Sequence, residues 1–491
     1  MSDFFTNQKP MAARGLNMLN RKDYSDIHQA TLQVLGKTGI FVEDPQVLEI
    51  LGSCGATVDK KSKIVKLPSV MVEDAIRSAP ERVLLAGRNP DFDILLEENK
   101  NAYACFPSNI NVVDPYTGKV RQTTKKDVAA CARFCDSLKE LNVYSRAVYA
   151  LDQTPELMHL HTAEACFNNT AKHNSHTAGS QWEAEKIIEM AAEAMGGAEN
   201  LKKRKTISFA AAVTSPLKLT RKCSGVIMAS ANADFPISVA SMVMAGGTGP
   251  VNLAGTLVQT NAEILSGIVL AQCIRKGVPV IYGSFSTGMD LRLGASPLGS
   301  PEIAMIAASA AGLCRYYQLP CAAPGISSDS KRAGAQAAYE KAFTGVSAAM
   351  SGVNLIYGIG GVETGLTFDY GQAVLDDEII RMIKHLKQGI EVNDETLSVD
   401  LIHEIGPFGE FLSHDTTLLK MKSMSQTKLF DRDNREIWDK KGRQRSYTKA
   451  LSLAIDILEN HEPEPLPEAT VKQMSAIVEE AEKEVRSKNR C

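Results

Sequence analysis

Residues 206–244 read TISFAAAVTSPLKLTRKCSGVIMASANADFPISVASMVM, which contains one complete strand–helix–strand unit. The runs at 206–213 and 236–244 are short, apolar and typical of buried strands, and the pattern at 218–232 between them is helical. Two strands joined by a helix pair in parallel through a right-handed crossover. This stretch therefore predicts a parallel sheet covered by helices.

The same unit recurs eight times between about residue 103 and residue 386. The predicted strands are 102–106, 143–150, 174–180, 206–213, 236–244, 279–285, 320–327 and 354–360, and the predicted helices are 125–137, 156–169, 183–195, 218–232, 261–276, 300–317, 334–350 and 371–385. Eight units over roughly 280 residues match the count and size of a (β/α)8 barrel. An open doubly wound sheet is the alternative, but such sheets usually have fewer strands. We therefore predict an α/β fold built on a TIM-type barrel.

The barrel pattern divides the chain into three predicted domains. Residues 1–100 read as a loose arm followed by a helix-plus-hairpin module, which we expect to cover the N-terminal side of the barrel or to form a dimer contact. Residues 101–386 are the barrel, and residues 387–491 form a C-terminal helical extension. Within that extension, 387–447 is rich in mixed charge and is a candidate docking rim for a partner protein, although a solvated surface has the same composition.

Composition excludes several classes of function. The chain has 491 residues, 44% of them hydrophobic, and a formal net charge of −3 without a long basic run, so nucleic-acid binding through bulk electrostatics is not expected. No stretch of 18 apolar residues and no signal pattern at residues 1–10 is present, so we expect a cytoplasmic protein that does not enter a membrane. The ten cysteines and nine histidines lack the spacing of a metal site, and no metal is predicted.

The candidate site residues come from the loops that follow the predicted strands, where TIM-barrel enzymes carry their chemistry. These loops are rich in Gly, Ser and Thr and poor in carboxylates, which indicates a site that binds a ligand with little acid–base machinery. Each candidate also has a structural interpretation, such as rim packing for the aromatic residues or helix capping for Glu363. The candidates are the aromatic residues Phe106, Tyr149, Trp182 and Phe285, the neutral donors Asn109, Gln181 and Ser284, and the ionisable residues Lys331, Arg332, Glu363 and His414.

Several strings across nearly the whole chain resemble the trimethylamine methyltransferase family. They are Gly52-x-Cys-Gly-Ala-x-Val-Asp59, Ile110-x-Val-x-Asp-x-x-Thr-Gly-x-x-Arg-x-x-Thr-x-x-Asp127, Ser328-Asp-Ser-Lys331, Gln336-x-x-Tyr-Glu-Lys-Ala342, Asn354-Leu-Ile-Tyr-Gly-x-Gly360 and Gly406-x-x-Gly-x-Phe-Leu-x-His414. Each string is modest alone, but the set is specific.

The resemblance implies a (β/α)8 methyltransferase that moves a methyl group from a methylated amine to the cobalt of a separate, cognate corrinoid protein. Members that act on trimethylamine carry pyrrolysine, whereas this sequence consists of the twenty ordinary residues, including 328–336. It is therefore similar to the non-pyrrolysine branch, whose members act on glycine betaine, proline betaine, carnitine or γ-butyrobetaine. The resemblance implies a quaternary amine substrate, no cofactor bound tightly by this chain, a homo-oligomer, and a role in the one-carbon metabolism of methanogenesis or acetogenesis.

The chemistry of quaternary amines agrees with the scarcity of acid–base residues. A quaternary ammonium already carries its charge, so cobalt(I) can displace a neutral tertiary amine without any proton transfer. The site then needs aromatic faces for the cation, donors for a carboxylate and an open mouth for the corrinoid. We expect Lys331 or Arg332 to bind the carboxylate, although Lys331 could instead pair with Asp329.

Two alternatives stay open. An aldolase or lyase would need a Schiff-base lysine inside a strand, and none of the eight predicted strands contains a lysine. A non-catalytic betaine-binding or corrinoid-docking subunit would share the fold, and only an assay of methyl transfer separates it from an enzyme.

Overall fold

The computed structural model describes residues 15–107 and 109–488 of the chain, so most of the loose arm predicted before the N-terminal module lies outside the described residues. The N-terminal part contains two antiparallel hairpins. Its elements are α1 Arg21–Gln33, β1 Ile40–Val42, α2 Pro45–Ser53, β2 Thr57–Asp59, β3 Ile64–Lys66, α3 Ser69–Ser78, β4 Val83–Leu85 and β5 Ile94–Leu96.

The central part alternates strands and helices, with several short extra strands at the loops. The strands are β6 Ala102–Cys105, β7 Asn111–Val113, β8 Val120–Gln122, β9 Val143–Tyr144, β10 His173–His176, β11 Ile207–Val213, β12 Lys218–Leu219, β13 Ile237–Ser241, β14 Met244–Ala245, β15 Val280–Ser284, β16 Thr287–Gly288, β17 Cys321–Pro324, β18 Leu355–Ile359, β19 Gly361–Val362 and β20 Thr367–Asp369. The helices are α4 Lys125–Ser137, α5 Met158–Asn169, α6 Gln181–Ala194, α7 Ala198–Lys203, α8 Arg221–Asn232, α9 Leu253–Ile274, α10 Pro301–Tyr317, α11 Ala335–Ser351 and α12 Tyr370–Gln388.

Eight of these strands close into a parallel barrel, in the order β6-β9-β10-β11-β13-β15-β17-β18, with β18 pairing back to β6. The order around the barrel is the order along the chain, as right-handed crossovers require. Every predicted strand run overlaps one barrel strand, so the prediction of a (β/α)8 barrel is confirmed and the open sheet is wrong.

Local sequence sets the ends of the helices. For example, α4 spans the predicted range because Thr124 and Asp127 form a capping box at its first turn. The longest helix of the central part, α9, has 22 residues. It is the one helix in the described part of the chain with the length and hydropathy to cross a membrane, and 78% of its most apolar window is buried inside the fold.

The hairpin formed by β4 and β5 closes one end of the barrel. Val83, Leu85 and Leu96 of β4 and β5 pack in one cluster with residues that point inward from the barrel strands, among them Ala104, Ile281 and Leu355. The backbone N–H of Arg88 donates to the Ala171 carbonyl, which lies just before β10, so the hairpin sits at the N-terminal ends of the strands. Meanwhile α1, α2 and α3 pack outside the barrel against α9.

The C-terminal extension contains α13 Asp394–Leu397, α14 Val399–Ile405, α15 Asp415–Lys420, α16 Arg435–Lys440, α17 Ser446–Asn460 and α18 Glu468–Lys488. Two long helices pack on the outside of the barrel, α17 against α4 and α12 and α18 against α5 and α6. The segment that carries α13 to α15 begins at a different place on the barrel. It leaves the barrel after α12, where the Lys387 ammonium donates to Asn99 and Asn101, just before β6. The first part of the predicted docking rim therefore starts at the closed N-terminal end, whereas its last residue, Tyr447, contacts Asp369 at the start of α12, on the side of the mouth. Docking of the corrinoid protein on residues 387–447 stays a prediction.

Candidate active site

The N-terminal half of the barrel interior is filled. The apolar cluster that contains the β4–β5 hairpin occupies this half of the interior. The buried side chain of His173 lies beside the hairpin. His173 Nδ1 lies 2.9 Å from the Ala86 carbonyl oxygen and therefore donates, while Nε2 accepts from the Ser208 hydroxyl at 2.9 Å. Burial lowers the pKa of His173 to about 4, so the ring is neutral at physiological pH.

The C-terminal half of the interior is open. On β11, Ile207, Phe209, Ala211 and Val213 belong to the outer core beneath the helices, so Ala210 and Ala212 face inward. Ala212 is nevertheless exposed to solvent, as is Met242, which follows the inward-facing Ala240 at the end of β13. Small side chains at these positions leave a chamber that opens at the carboxyl ends of the strands, where TIM-barrel enzymes bind their substrates.

Two aromatic rings lie together in this chamber. The centroids of Phe285 and Tyr357 are 5.3 Å apart, with the ring planes tilted by 58°. Burial raises the pKa of the Tyr357 hydroxyl to about 12, while the nearby Arg146 guanidinium and a hydrogen bond to Ser175 act in the opposite direction. Tyr357 therefore stays neutral. Phe285 was a predicted site residue. Tyr357 was missed, although it lies two residues after Leu355 on β18 and therefore faces the same side of the strand.

Arg146 is a charged residue next to Tyr357. It follows β9 in the left-handed backbone region, with φ of 44°, and its side chain is buried at 7% exposure. One guanidinium nitrogen, Nη1, donates to the Ser175 carbonyl at 3.1 Å, while buried Nε has no hydrogen-bond partner. Among the described residues, no carboxylate lies within ion-pair distance of Arg146. A buried cation without an anion is unfavourable, so this arrangement indicates a place for an anionic group of a ligand.

A buried ion pair supports the strand that carries Tyr357. Lys341 and Asp376 are both fully buried, with Nζ 2.9 Å from the carboxylate oxygen. Lys341 also donates to the carbonyls of Ile326 and Gly358, and Asp376 accepts from the Gly360 N–H at 2.8 Å. The register of β18 against β6 shifts between Tyr357 and Ile359, so the pair fixes the irregular backbone next to Tyr357. In the sequence analysis Lys341 appears only within one of the strings shared with the family.

Several predicted site residues lie at the rim and have structural partners there. Asn109 Nδ2 donates to the Phe106 and Ala147 carbonyls, at 3.0 and 2.6 Å, and so ties the loop after β6 to the residues after β9. Phe106 packs against Gly361 and Gly365, which have no room for a Cβ atom beside its ring. Glu363 accepts a 2.7 Å hydrogen bond from the Thr367 hydroxyl.

The neighbouring side of the rim carries three more predicted residues. The ring of Tyr149 packs edge-on against His159 at 5.5 Å between centroids. Trp182 packs against the outer core from the first turn of α6, and Gln181 donates to Glu185 at 2.8 Å. Ser284 precedes Phe285, and its hydroxyl is buried without a hydrogen-bond partner.

The remaining predicted residues are not in the chamber. Lys331 and Arg332 are exposed on the loop after β17, and the Lys331 ammonium donates to the Asp329 carbonyl at 3.0 Å. His414 lies in the segment that leaves the closed end of the barrel, and its nitrogens face Thr416 and Glu404 of the same segment. The structure therefore does not bring His414 together with the other candidates.

The described residues contain no group of three or more His, Cys, Asp or Glu side chains that could hold a metal ion. The buried lysines do not match an aldolase. Lys172 donates to the Cys135 and Leu138 carbonyls, and Lys341 is in its ion pair on α11, outside the chamber.

The family model described as trimethylamine methyltransferase (MTTB) matches residues 5–486. The chain belongs to the trimethylamine methyltransferase family. The resemblance seen in the sequence strings is thereby confirmed, and the chain is a member of a family of corrinoid-dependent methylamine methyltransferases. This family acts on the corrinoid of a partner protein.

Relatives with different substrates in their names match over nearly the whole chain. A trimethylamine methyltransferase from Desulfitobacterium hafniense is 44% identical over 470 residues, covering 96% of this chain and 95% of the relative. A glycine betaine methyltransferase from the same species is 31% identical over 473 residues, covering 96% and 98%. The crystal structure of the Methanosarcina barkeri monomethylamine methyltransferase shares the fold, with a TM-score of 0.50 and 14% identity over 92% of this chain and 96% of that one.

Proposed function

We propose that this family member transfers a methyl group from a quaternary ammonium compound that bears a carboxylate, with glycine betaine as the leading candidate, to the cobalt(I) of a partner corrinoid protein. The products are dimethylglycine and the methylated corrinoid. The observation that supports this proposal is Arg146, a buried guanidinium in the barrel chamber without a carboxylate partner among the described residues.

A betaine satisfies both features of the chamber. Its carboxylate would pair with Arg146, which removes the penalty of an isolated buried charge. Its trimethylammonium group would lie near Phe285 and Tyr357, whose ring faces attract a cation. Proline betaine, carnitine and γ-butyrobetaine carry the same two charges at different separations and are the alternative substrates.

The transfer itself needs no acid or base. The electron pair of cobalt(I) forms the bond to the methyl carbon, and the carbon–nitrogen bond breaks with its pair on nitrogen, which becomes a neutral tertiary amine. The inward-facing residues Ala210, Ala212, Phe285 and Tyr357 with Arg146 supply no carboxylate base, in agreement with this chemistry. The protein's contribution is to orient the methyl donor toward the mouth and to shield its cation from water.

Trimethylamine is the second candidate, because the 44% identical relative is named for it. At neutral pH trimethylamine is protonated, and it would bring a second positive charge into a chamber that already holds Arg146. It carries no anion to offset that repulsion. The electrostatics of the described site therefore favour a betaine.

The test is methylcobalamin formation from cob(I)alamin with glycine betaine, the three other betaines, choline and trimethylamine. We expect a betaine to be the best substrate. Replacement of Arg146 by Met should lower kcat/KM for betaine about 10- to 150-fold, which corresponds to the loss of a charge-assisted bond of about 1.5–3 kcal/mol. Activity toward choline, which lacks the carboxylate, should not fall.

Arg292→Met is the matched control, because the Arg292 side chain is 87% exposed on the loop after β16. It should leave the betaine kinetics unchanged. Preference for trimethylamine, or equal losses for betaine and choline in Arg146→Met, would contradict the proposal. Failure of every substrate to methylate cob(I)alamin would favour the non-catalytic subunit.

A further inference from the structure

A cleft of about 320 Å³ lies between α1, the end of α3 and the C-terminal end of α10. Helix α10 ends at Tyr317, just before β17, so the cleft lies at the N-terminal side of the barrel strands. Since α1 and α3 pack outside the barrel, the cleft is also outside it. The chamber opens at the opposite ends of the strands, and the cleft is therefore a separate candidate binding site.

His28 presents a hydrogen-bond donor to this cleft. Its side chain is buried, at 5% exposure, and lines the cleft. Burial lowers the pKa of His28, although Glu73 opposes this, so the ring is neutral and carries one N–H. The Tyr317 hydroxyl accepts from Asn261 Nδ2 at 2.7 Å and therefore donates its own hydrogen to His28 Nδ1, 3.0 Å away. The N–H of the ring is consequently at Nε2.

The Nε2–H of His28 has no acceptor in residues 15–107 and 109–488. Glu73 Oε1 lies 4.0 Å from Nε2, which is too far for a hydrogen bond. Nδ1 faces Tyr317, so Nε2, across the ring, faces the cleft beside Glu73. A largely buried donor that lacks an acceptor is unfavourable, and this one indicates a ligand with an acceptor group.

The other walls of the cleft carry both signs of charge and two aromatic rings. Glu73 and Glu81 are exposed carboxylates, and Arg77 is an exposed guanidinium one turn along α3 from Glu73. The rings of Tyr316 and Tyr317 meet edge-on, with centroids 5.4 Å apart. Aromatic faces and carboxylates attract an organic cation, whereas a guanidinium attracts a carboxylate.

We propose that this cleft binds a small zwitterion that carries a methylated ammonium group and a carboxylate. The ammonium lies against Tyr316 and Glu73, and the carboxylate accepts from His28 Nε2 and Arg77. A volume of about 320 Å³ is sufficient for such a molecule. The occupant bridges the N-terminal module and the barrel. It is held far from the methyl-transfer chemistry, so the proposal does not depend on which amine donates the methyl group.

Calorimetric titration of full-length Ala212→Leu tests the proposal, because the added volume at position 212 blocks the chamber. We expect one site per chain for glycine betaine. Choline, which lacks the carboxylate, and glycine, which lacks the methyl groups, should each bind at least tenfold more weakly. Glu73→Gln in this background should weaken glycine betaine and choline at least threefold. Arg77→Met should weaken glycine betaine at least threefold and leave choline unchanged.

The matched control is Glu49→Gln, an exposed carboxylate on α2 outside the cleft, which should bind like the parent. Absence of saturable glycine betaine binding would overturn the proposal. So would equal affinities for glycine and glycine betaine, or a loss smaller than threefold in either cleft variant.

The wild-type chain separates this site from the chamber. It should bind one more glycine betaine than Ala212→Leu, and Glu73→Gln or Arg77→Met should weaken only one of its two sites. A single wild-type site that these two substitutions weaken would support the cleft and contradict the proposed function. A single site that only Arg146→Met weakens would overturn the cleft and leave the proposed function intact.

Discussion

The two halves of the barrel interior are built from the same strands but for different purposes. In the N-terminal half, Ile281, Leu355 and the β4–β5 hairpin fill the space, and both nitrogens of His173 have partners. In the C-terminal half, Ala210 and Ala212 leave space, and Arg146 has an unpaired nitrogen. The first half satisfies its apolar and polar groups internally and stabilises the fold. The second leaves its groups unsatisfied until a ligand binds.

The largest effects are expected from substitutions that remove volume from the filled half or add volume to the open half. Ile281→Ala removes packing from the filled half and should lower the free energy of unfolding by about 2–5 kcal/mol, measured by urea denaturation. The activity of the protein that remains folded should not change. Ala212→Leu adds volume to the open half and should leave stability within about 0.5 kcal/mol, because the residue is exposed, but should abolish methyl transfer from betaine.

Two outcomes for Ala212→Leu would contradict the distinction between a filled and an open half. A strong destabilisation by Ala212→Leu would mean that the C-terminal half is packed. An unchanged kcat/KM in the same variant would place the substrate elsewhere.

Low pH should destabilise the protein, because His173 is buried in the filled half of the barrel as a neutral ring. The pKa of His173 is about 4 in the fold and about 6.5 when unfolded, so between these values the unfolded state binds one more proton. Stability therefore falls as pH drops from 6.5 to 4, by about 1.4 kcal/mol per pH unit and about 3 kcal/mol in total. His159 and His176, whose pKa values burial lowers to about 3, act in the same direction, and Glu183, with a pKa raised to about 7, acts in the opposite one.

The contribution of His173 can be isolated with His173→Gln. The free energy of unfolding of this variant should fall with pH less steeply than that of wild type, by about 1.4 kcal/mol per unit between pH 6 and 5. The slope is the measured quantity, because the substitution also alters two hydrogen bonds and hence the absolute stability. Parallel pH profiles would show that His173 is not a buried neutral residue.

The sequence predicted the barrel well because each strand is a short apolar run between turn residues, and this pattern is local. The sequence predicted the interior less well. Alternate residues of a strand face opposite sides of the sheet, and the sequence does not show which of the two sets faces the inside of the barrel. Arg146 lies inside an apolar run at 143–150, where a charged residue is itself a signal, yet only the structure shows that no carboxylate reaches it among the described residues. Lys341 and Asp376 come from α11 and α12, and no local pattern predicts their pairing.

Substitution of the aromatic residues of the open half should have a smaller effect. Phe285→Leu should weaken betaine binding by about 0.5–2 kcal/mol, measured by calorimetry, because the ring face near the ammonium is lost. Phe106, Tyr149 and Trp182 were predicted for the same role and lie at the rim, against Gly361, His159 and the outer core. We expect their Leu variants to change affinity less than twofold. A larger loss for any rim variant than for Phe285→Leu would move the ammonium from the chamber to the rim.

The smallest effect is expected at the two basic residues that the sequence proposed for the carboxylate. Lys331→Met and Arg332→Met, made separately, should each change kcat/KM for glycine betaine less than twofold, because both side chains are exposed to water that screens their charge. Methyl transfer from betaine and from choline is the measurement, with Arg146→Met as the reference for a true carboxylate ligand. A loss of tenfold or more that is selective for betaine would show that the 328–334 loop folds over the mouth when substrate binds. The anionic end of the substrate would then face the rim, and Arg146 would need another explanation for its unpaired charge.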